Sequence, residues 1–195
     1  MNHQQLPDYK LYLLLLGSKP PGRNVEQHDY FFGIAENLKE LVPAIKAFWP
    51  DAGNSIHLDG WREITYVDGY SVKVVLKQNC IIASPKKLFF INLGGYQSGK
   101  LEEQHYTVLS VHEDQAHAVQ HAKKTIFFKN NTIKGARSHI DEKYGIDVDD
   151  IYRVEDMLGP GLKEKYHILL TPVTGLAEDP IHLGYFKLDK IANTG

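Results

Sequence analysis

The feature that most constrains the fold of this chain is an internal repeat. When the sequence is aligned with itself at an offset of 77 residues, nine positions between residues 10 and 36 are identical. Ordinary composition would give roughly two identities by chance over such a stretch. The matched positions are Lys10, Leu11, Leu16, Gly17, Gly22, Glu26, Gln27, His28 and Glu36. We therefore expect two copies of one structural unit in the 195 residues of the chain.

Farther along the chain the repeat continues in a shifted register. With five further residues of offset, His57 and Asp59 align with His139 and Asp141. The shift places an insertion in the second copy around residues 129–135, which are rich in lysine, asparagine and glycine and are typical of a loop. The repeat therefore extends beyond the Glu-x-His element to a His-x-Asp element.

Each copy has the same order of predicted elements. An apolar run that ends at glycine predicts a buried strand, and a second strand, a helix and a short strand follow. In the first copy Asp68 and Gly69 predict a hairpin turn. Pro43 lies within the predicted helix, so the helix either starts near Glu40 or is bent.

These patterns predict an α+β fold with two tandem β-β-α-β(-β) repeats related by pseudo-two-fold symmetry. The predicted domains are a first repeat unit over residues 1–84 and a second over 85–160. Residues 161–195 are expected to form a C-terminal strand pair packed on the second unit. An alternative alignment sets residues 166–170 of this pair opposite residues 70–74, and the sequence leaves both open.

The pattern Leu16-Gly17-x4-Gly22-x3-Glu26-x-His28, with the aromatic strand that follows and a helix ending in Trp49, resembles a bacterial family, domain of unknown function 1543. The resemblance covers most of residues 10–156. The second copy keeps the glycines and the Glu-x-His element but has Phe127 near the tryptophan position. The resemblance implies one or two copies of a compact α/β unit per chain and brings no activity.

Composition restricts the class of partner. The net charge of −2 and the pI near 6.5 disfavour a nucleic-acid-binding protein, which needs a basic surface. Cys80 is the only cysteine, so an intrachain disulfide is excluded. The apolar run 11–16 is shorter than a signal-peptide core or a membrane span. We expect a cytoplasmic protein without a membrane or nucleic-acid partner.

The residues repeated in both copies include acidic and histidine side chains that suit a binding site. Residues two apart on a strand share a face, so each Glu-x-His and His-x-Asp element presents an imidazole beside a carboxylate. This set suits zinc, iron or manganese, and it also suits general acid–base chemistry. The predicted ligand-binding residues are Glu26, His28, His57, Asp59, Glu103, His105, His139 and Asp141.

The spacing of these residues matches no established metal signature, so the sequence assigns no metal, no cofactor and no catalytic residue. A structural role is the alternative, in which Glu26 accepts hydrogen bonds from loop amides and His28 donates one to a backbone carbonyl. For metal chemistry, His28 and His57 must lie on the same face of the sheet.

Three other motifs lack a residue that their chemistry requires. The stretch 94–100 satisfies G-x-x-x-x-G-K, but Leu101 stands where a phosphate-binding loop needs Ser or Thr. His117 and His121 share a helix face but lack a third ligand, and Cys80 lacks an activating partner. The sequence thus favours a non-catalytic module that binds a small ligand or assembles with itself as a homodimer. The alternative is a metal-dependent, hydrolase-like enzyme that uses the paired Glu/His/His/Asp sets.

Overall fold

The computed structural model describes residues 8–79, 84–96, 101, 103–132 and 147–193. The chain has a mixed α+β fold with antiparallel sheets and few helices, as its sequence predicts. The strands are β1 Lys10–Ser18, β2 Gln27–Ala35, β3 His57–Glu63, β4 Tyr66–Val67, β5 Tyr70–Leu76, β6 Lys87–Tyr96, β7 Glu103–His112, β8 Asp147–Arg153, β9 Tyr166–Pro172 and β10 His182–Lys187. The helices are α1 Val42–Phe48, α2 Gln115–Thr132, α3 Val154–Met157, α4 Pro160–Lys165 and α5 Leu188–Asn193, and short 3-10 helices span Leu38–Leu41, Pro50–Ser55 and Lys77–Asn79.

The chain divides into two compact units. The first contains residues 1–82 and 157–195, and the second contains residues 83–156. No helix in the part of the chain that the structure describes is both long and apolar enough to cross a membrane.

The main sheet of the first unit has the strand order β10-β3-β1-β2, with antiparallel pairing throughout. Strand β1 is apolar at most positions, as expected of a central strand buried on both faces. On one face Leu14 and Leu16 of β1 and Leu58 of β3 are fully buried in a core that also contains Ile45 of α1. This core fixes the ends of β1 and β3, where the candidate site lies.

The end of β1 sets the register of three strands. Gly17 lies opposite His28 of β2 and opposite His57 of β3. The register shifts between Leu15 and Leu16, so that Asp59 is the extra residue of a β-bulge. Because directly opposite residues point to the same face, Gly17, His28 and His57 share the face opposite to Leu16.

The first unit also contains a small sheet in the order β4-β5-β9. The predicted hairpin between β4 and β5 is confirmed, because Asp68 and Gly69 have φ values of 50° and 82°. The helix with Pro43 follows the first of the two predicted alternatives. Helix α1 begins at Val42, so Pro43 lies in its first turn, where no backbone N–H is needed.

The second unit is built on a sheet in the order β7-β6-β8. Ala118 and Ala122 of α2 are fully buried against Phe89, Ile91 and Leu93 of β6. Short side chains on this face let the helix approach the sheet closely, which a stripe of larger residues would prevent.

The structure differs from the sequence-based interpretation in the pairing of the C-terminal strands. We expected residues 161–195 to pack on the second unit, but β9 pairs with β5 and β10 pairs with β3, both in the first unit. The physical reason is apolar matching across the strands, since Leu170 lies opposite Val72 and Ile168 lies opposite Val74. Both C-terminal strands accordingly lie in the first compact unit, which combines residues 1–82 with 157–195.

Candidate functional site

Four polar side chains of the first unit meet at the end of β1. His57 Nε2 lies 2.9 Å from Glu26 Oε1 and 3.2 Å from Asp59 Oδ1. The second oxygen of Asp59 lies 3.1 Å from His28 Nε2. One atom from each of Glu26, His57 and Asp59 lies within 4.8 Å of the others, an arrangement that could hold a metal ion. The structure thus brings together the four predicted residues of the first copy.

His57 is the buried member of this cluster, with 5% of its side chain exposed. Its Nδ1 lies 2.9 Å from the backbone oxygen of Ser55. Because a carbonyl oxygen can only accept, Nδ1 must carry the hydrogen of this bond. In a neutral imidazole, Nε2 then presents its lone pair, and that lone pair faces the two carboxylates.

The contacts around His57 Nε2 are close but lack hydrogen-bond geometry. No described residue completes a hydrogen bond to this buried nitrogen, and the same holds for Asp59 Oδ2. A protonated imidazole would direct its N–H at one carboxylate oxygen, and neither oxygen is so placed. A neutral imidazole would set a lone pair against carboxylate oxygens, which is unfavourable without a cation.

Gly17 leaves room for this convergence. A Cβ atom at this position would lie 2.6 Å from His57 Nε2 and would overlap with Asp59 Oδ2. The end of the central strand therefore has to be glycine if the two side chains are to approach each other. Glycine in a strand interior often marks such a close approach.

A buried serine pair supports the carbonyl that holds His57. Ser18 is fully buried, and its Oγ lies 2.6 Å from Ser55 Oγ. The Ser55 hydroxyl also donates to the backbone oxygen of Ala52 at 2.7 Å. These bonds fix residue 55, and through its carbonyl they fix the orientation of the His57 ring. Neither serine was predicted from the sequence, because a single buried hydroxyl leaves no recognisable sequence pattern.

The outer side of the cluster is open. The side chains of His28 and Glu26 are 48% and 43% exposed, whereas that of Asp59 is 26% exposed. Tyr185 of β10 also borders the site, because its ring centroid lies 4.1 Å from that of His57. Tyr185 lies far from the repeat in sequence, and only the pairing of β10 with β3 reveals it.

The residues around Gly94 in the second unit form a different set of contacts. His105 lies opposite Gly94, and its Nε2 is 3.5 Å from Asp149 Oδ2. Glu103 begins β7. The predicted residues His139 and Asp141 lie outside the described residues. Strand β8 instead places Asp147 opposite Gly94 and makes Asp149 the bulge residue. The Asp-x-Asp element at residues 147–149 could have predicted this register. It does not resemble the His-x-Asp element of the first unit, because its first residue is aspartate.

The structure describes two of the three other sequence motifs at least in part. His117 contacts Asp114, whereas His121 Nδ1 lies 3.2 Å from Ser110 Oγ, so the two histidines have different partners. Hydrogen bonds from His117 hold the pKa of the Asp114 carboxyl below its usual value. In the G-x-x-x-x-G-K stretch, β6 continues to Tyr96. Residues 97–100 and Cys80 lie outside the described residues.

Comparison with known proteins agrees with the predicted resemblance. Residues 23–74, a stretch that contains all four site residues of the first unit, match the model of the family described as Domain of Unknown Function (DUF1543). The crystal structure of protein Il1583 from Idiomarina loihiensis has the same fold, with a TM-score of 0.61 and 24% sequence identity. The match covers 93% of this chain and 98% of that one. No curated protein matches the chain.

Proposed function

We propose that the first unit binds a divalent transition-metal ion through Glu26 Oε1, His57 Nε2 and Asp59 Oδ1. The observation that carries the proposal is the buried His57 ring. Its Nδ1 donates to the Ser55 carbonyl, and its Nε2 faces two carboxylate oxygens at 2.9 and 3.2 Å without a hydrogen bond. A cation between the three atoms would accept the Nε2 lone pair of His57 and offset the charge of the two carboxylates.

The distances between the proposed ligand atoms fit a shared metal ion. Bonds of about 2.1 Å give ligand–ligand separations of about 3.0 Å in an octahedral site and about 3.4 Å in a tetrahedral one. The two measured contacts of His57 lie close to this range. Metal-binding histidines also commonly donate their second ring N–H to a carbonyl, as His57 does to Ser55.

The ligand types narrow the choice of metal. One imidazole nitrogen and two carboxylate oxygens suit zinc, manganese or ferrous iron. Calcium and magnesium prefer an all-oxygen set, and cuprous copper prefers sulfur. The second oxygen of Asp59 would stay 3.1 Å from His28 Nε2, a charge contact without hydrogen-bond geometry at the edge of the site.

A metal-dependent hydrolase is a second candidate, and the exposure of the site favours it. Three protein ligands leave a coordination position for water, which is the arrangement of catalytic rather than structural zinc sites. Glu26 and His28 are about half exposed, so a substrate could reach this position. A bound metal would lower the pKa of that water and supply hydroxide, and His28 would stand beside it to exchange protons.

Metal binding is tested by thermal unfolding of chelator-treated protein to which Zn²⁺, Mn²⁺, Fe²⁺ or Co²⁺ is added singly. A ligand that binds only the native state at about 100 times its Kd stabilises it by about 2.7 kcal/mol. We expect at least one metal to raise the melting temperature by several degrees and His57→Gln to abolish the rise. The matched control is His105→Gln in the second unit, which should respond as the unchanged protein does. The proposal fails if none of the four metals stabilises the protein, or if His57→Gln responds as the unchanged protein does.

The hydrolase candidate is tested separately with p-nitrophenyl acetate and p-nitrophenyl phosphate. Metal-loaded protein should release p-nitrophenol faster than chelator-treated protein, and both His57→Gln and His28→Ala should lose the difference. Metal binding without any turnover of either substrate would exclude the hydrolase candidate and support a metal-binding module.

The two units are further proposed to be copies of one ancestral unit. In both, a central strand ends at a glycine that lies opposite a histidine, and a bulge at the same place carries an aspartate. The supporting comparison is of registers, with residues 57–63 corresponding to 147–153 rather than to 139–145. Homodimerisation and a cytoplasmic location stay predictions from the sequence, and light scattering of the purified chain tests the first.

A further inference from the structure

A cavity of about 390 Å³ lies beside the candidate metal site in the first unit. Lys46, Asn54, Ile56, Tyr185, Lys187 and Asp189 are among its lining residues. We propose that this cavity binds a small organic anion, with a carboxylate or a phosphate group held between Lys46 and Lys187.

The charge of the cavity favours an anion. Its lining carries two lysines against one aspartate. Neither lysine forms an ion pair or hydrogen bond with a described residue. Two lysines among the residues of one concave surface attract an anionic ligand, and the field in a cleft strengthens that attraction. Asn54 adds an amide that can donate to the same anionic group.

The rest of the lining suits an organic ligand better than a bare ion. Ile56 and Leu188, which are 5% and 4% exposed, contribute apolar lining, and the exposed Tyr185 contributes an aromatic ring. The volume lies at the small end of the usual range of ligand pockets, about 300–1,000 Å³. An apolar or aromatic body with one anionic group therefore fits the chemistry of the lining.

The cavity is connected to the metal site through two residues of β10. Tyr185 lines the cavity, and its ring packs against the His57 ring at a centroid distance of 4.1 Å. Lys187 lies directly opposite His57 in the strand pairing. An occupant of the cavity would touch the tyrosine that covers the proposed metal ligand. This coupling rests on the proposed metal site, whereas binding of the anion does not.

The test is a calorimetric titration of chelator-treated protein with benzoate, phenyl phosphate and benzylamine. We expect saturable binding of benzoate, phenyl phosphate or both, and no binding of the cationic benzylamine. The double variant Lys46→Ala/Lys187→Ala should weaken anion binding at least about tenfold, since each lysine contributes a charge-assisted contact. The matched control is Lys39→Ala, an exposed lysine of the same unit that does not line the cavity.

Each outcome has a defined meaning. Binding of phenyl phosphate alone or of benzoate alone supports the site and identifies the anionic group. Absence of anion binding overturns the proposal, as does binding that the double lysine variant leaves unchanged. Anion binding that requires added metal and disappears with His57→Gln, but not with the lysine variants, also overturns it, because the anion would then bind the metal itself. Failure of metal binding alone leaves the anion site standing.

Discussion

The central strands of the two units, β1 and β6, have similar ends, but different side chains surround the two ends. Gly17 and Gly94 each lie opposite a histidine of the neighbouring strand, β2 or β7. The strand on the other side, β3 or β8, has an aspartate as its bulge residue. At the position opposite the glycine, the first unit has His57 and the second has Asp147. The residue after this glycine is Ser18 in the first unit and Gly95 in the second.

This difference locates the proposed metal chemistry. The Glu-x-His element occurs in both units, so it cannot by itself distinguish them. What the first unit adds is a buried imidazole and the serine pair that fixes its tautomer. We infer that the residues of β3 and β8, rather than the Glu-x-His element, decide which unit binds a metal.

The largest effect is expected from Gly17→Ala. The new Cβ would lie 2.6 Å from His57 Nε2, so metal affinity should fall by at least about 100-fold, the upper end of what the loss of a supporting contact costs. Overpacking should also lower the free energy of unfolding by about 1–3 kcal/mol. Isothermal titration with the stabilising metal measures the first effect, and urea unfolding measures the second.

Gly94→Ala is the matched control for this change. Its Cβ would overlap with the Asp149 carboxylate, so a comparable loss of stability is expected in the second unit. Metal affinity should stay unchanged. Equal loss of affinity in both variants would show that the two units do not differ as inferred.

Asp147→His should give the second unit the missing imidazole. Because the register sets residue 147 opposite Gly94 as residue 57 is set opposite Gly17, we expect the number of bound metal ions to rise from one to two per chain. Native mass spectrometry after metal loading counts them. Asp147→Asn, which adds no imidazole, should still bind one, and a count of one for both variants would contradict the inference.

Ser18→Ala tests the support of His57 without removing a ligand. Loss of the 2.6 Å contact to Ser55 should loosen the carbonyl that holds the imidazole. Removing such outer partners costs about 10–100-fold in metal affinity, so a loss of about tenfold is expected. Ser110→Ala, which removes a buried hydroxyl of the second unit, is the control. Equal metal affinity of all three proteins would show that the serine pair does not support the site.

The smallest effect concerns helix capping. In the second unit His117 N–H donates to Asp114 Oδ1 at 3.0 Å, at the start of α2, whereas Asn37 in the first unit makes no such side-chain cap. Asp114→Ala should therefore speed amide exchange in the first turn of α2 and lower the melting temperature by a few degrees, and Asn37→Ala should change little.

The cap also predicts a pH dependence. Because these hydrogen bonds lower the pKa of Asp114 below its ordinary 3.8, their contribution to stability is present above that value. It is lost as the pH falls through the lower pKa of the folded state. Amide exchange of α2 should therefore be the same in the Asp114→Ala variant and the unchanged protein at a pH below both values. A difference that persists there would contradict the assignment.

Much of the first unit could be predicted from its sequence. The strands, the Asp68-Gly69 hairpin and the family resemblance follow from local patterns, and the Glu-x-His and His-x-Asp spacings predict shared faces. The register of β8 and the pairing of β9 and β10 could not be predicted. The register of β8 depends on the length of the insertion before it, which the sequence does not fix. The apolar face of a strand also does not specify which of several apolar strands it pairs with.

The sequence by itself determined which side chains stand beside each other on one strand and where the chain must turn, because those follow from backbone periodicity and from glycine, proline and asparagine or aspartate chemistry. Only the tertiary structure decided that Glu26, His57 and Asp59 meet and that Tyr185 covers the site. These contacts join segments far apart in the chain. They depend on strand pairing and on the core beneath Leu16 and Leu58, which no local pattern encodes.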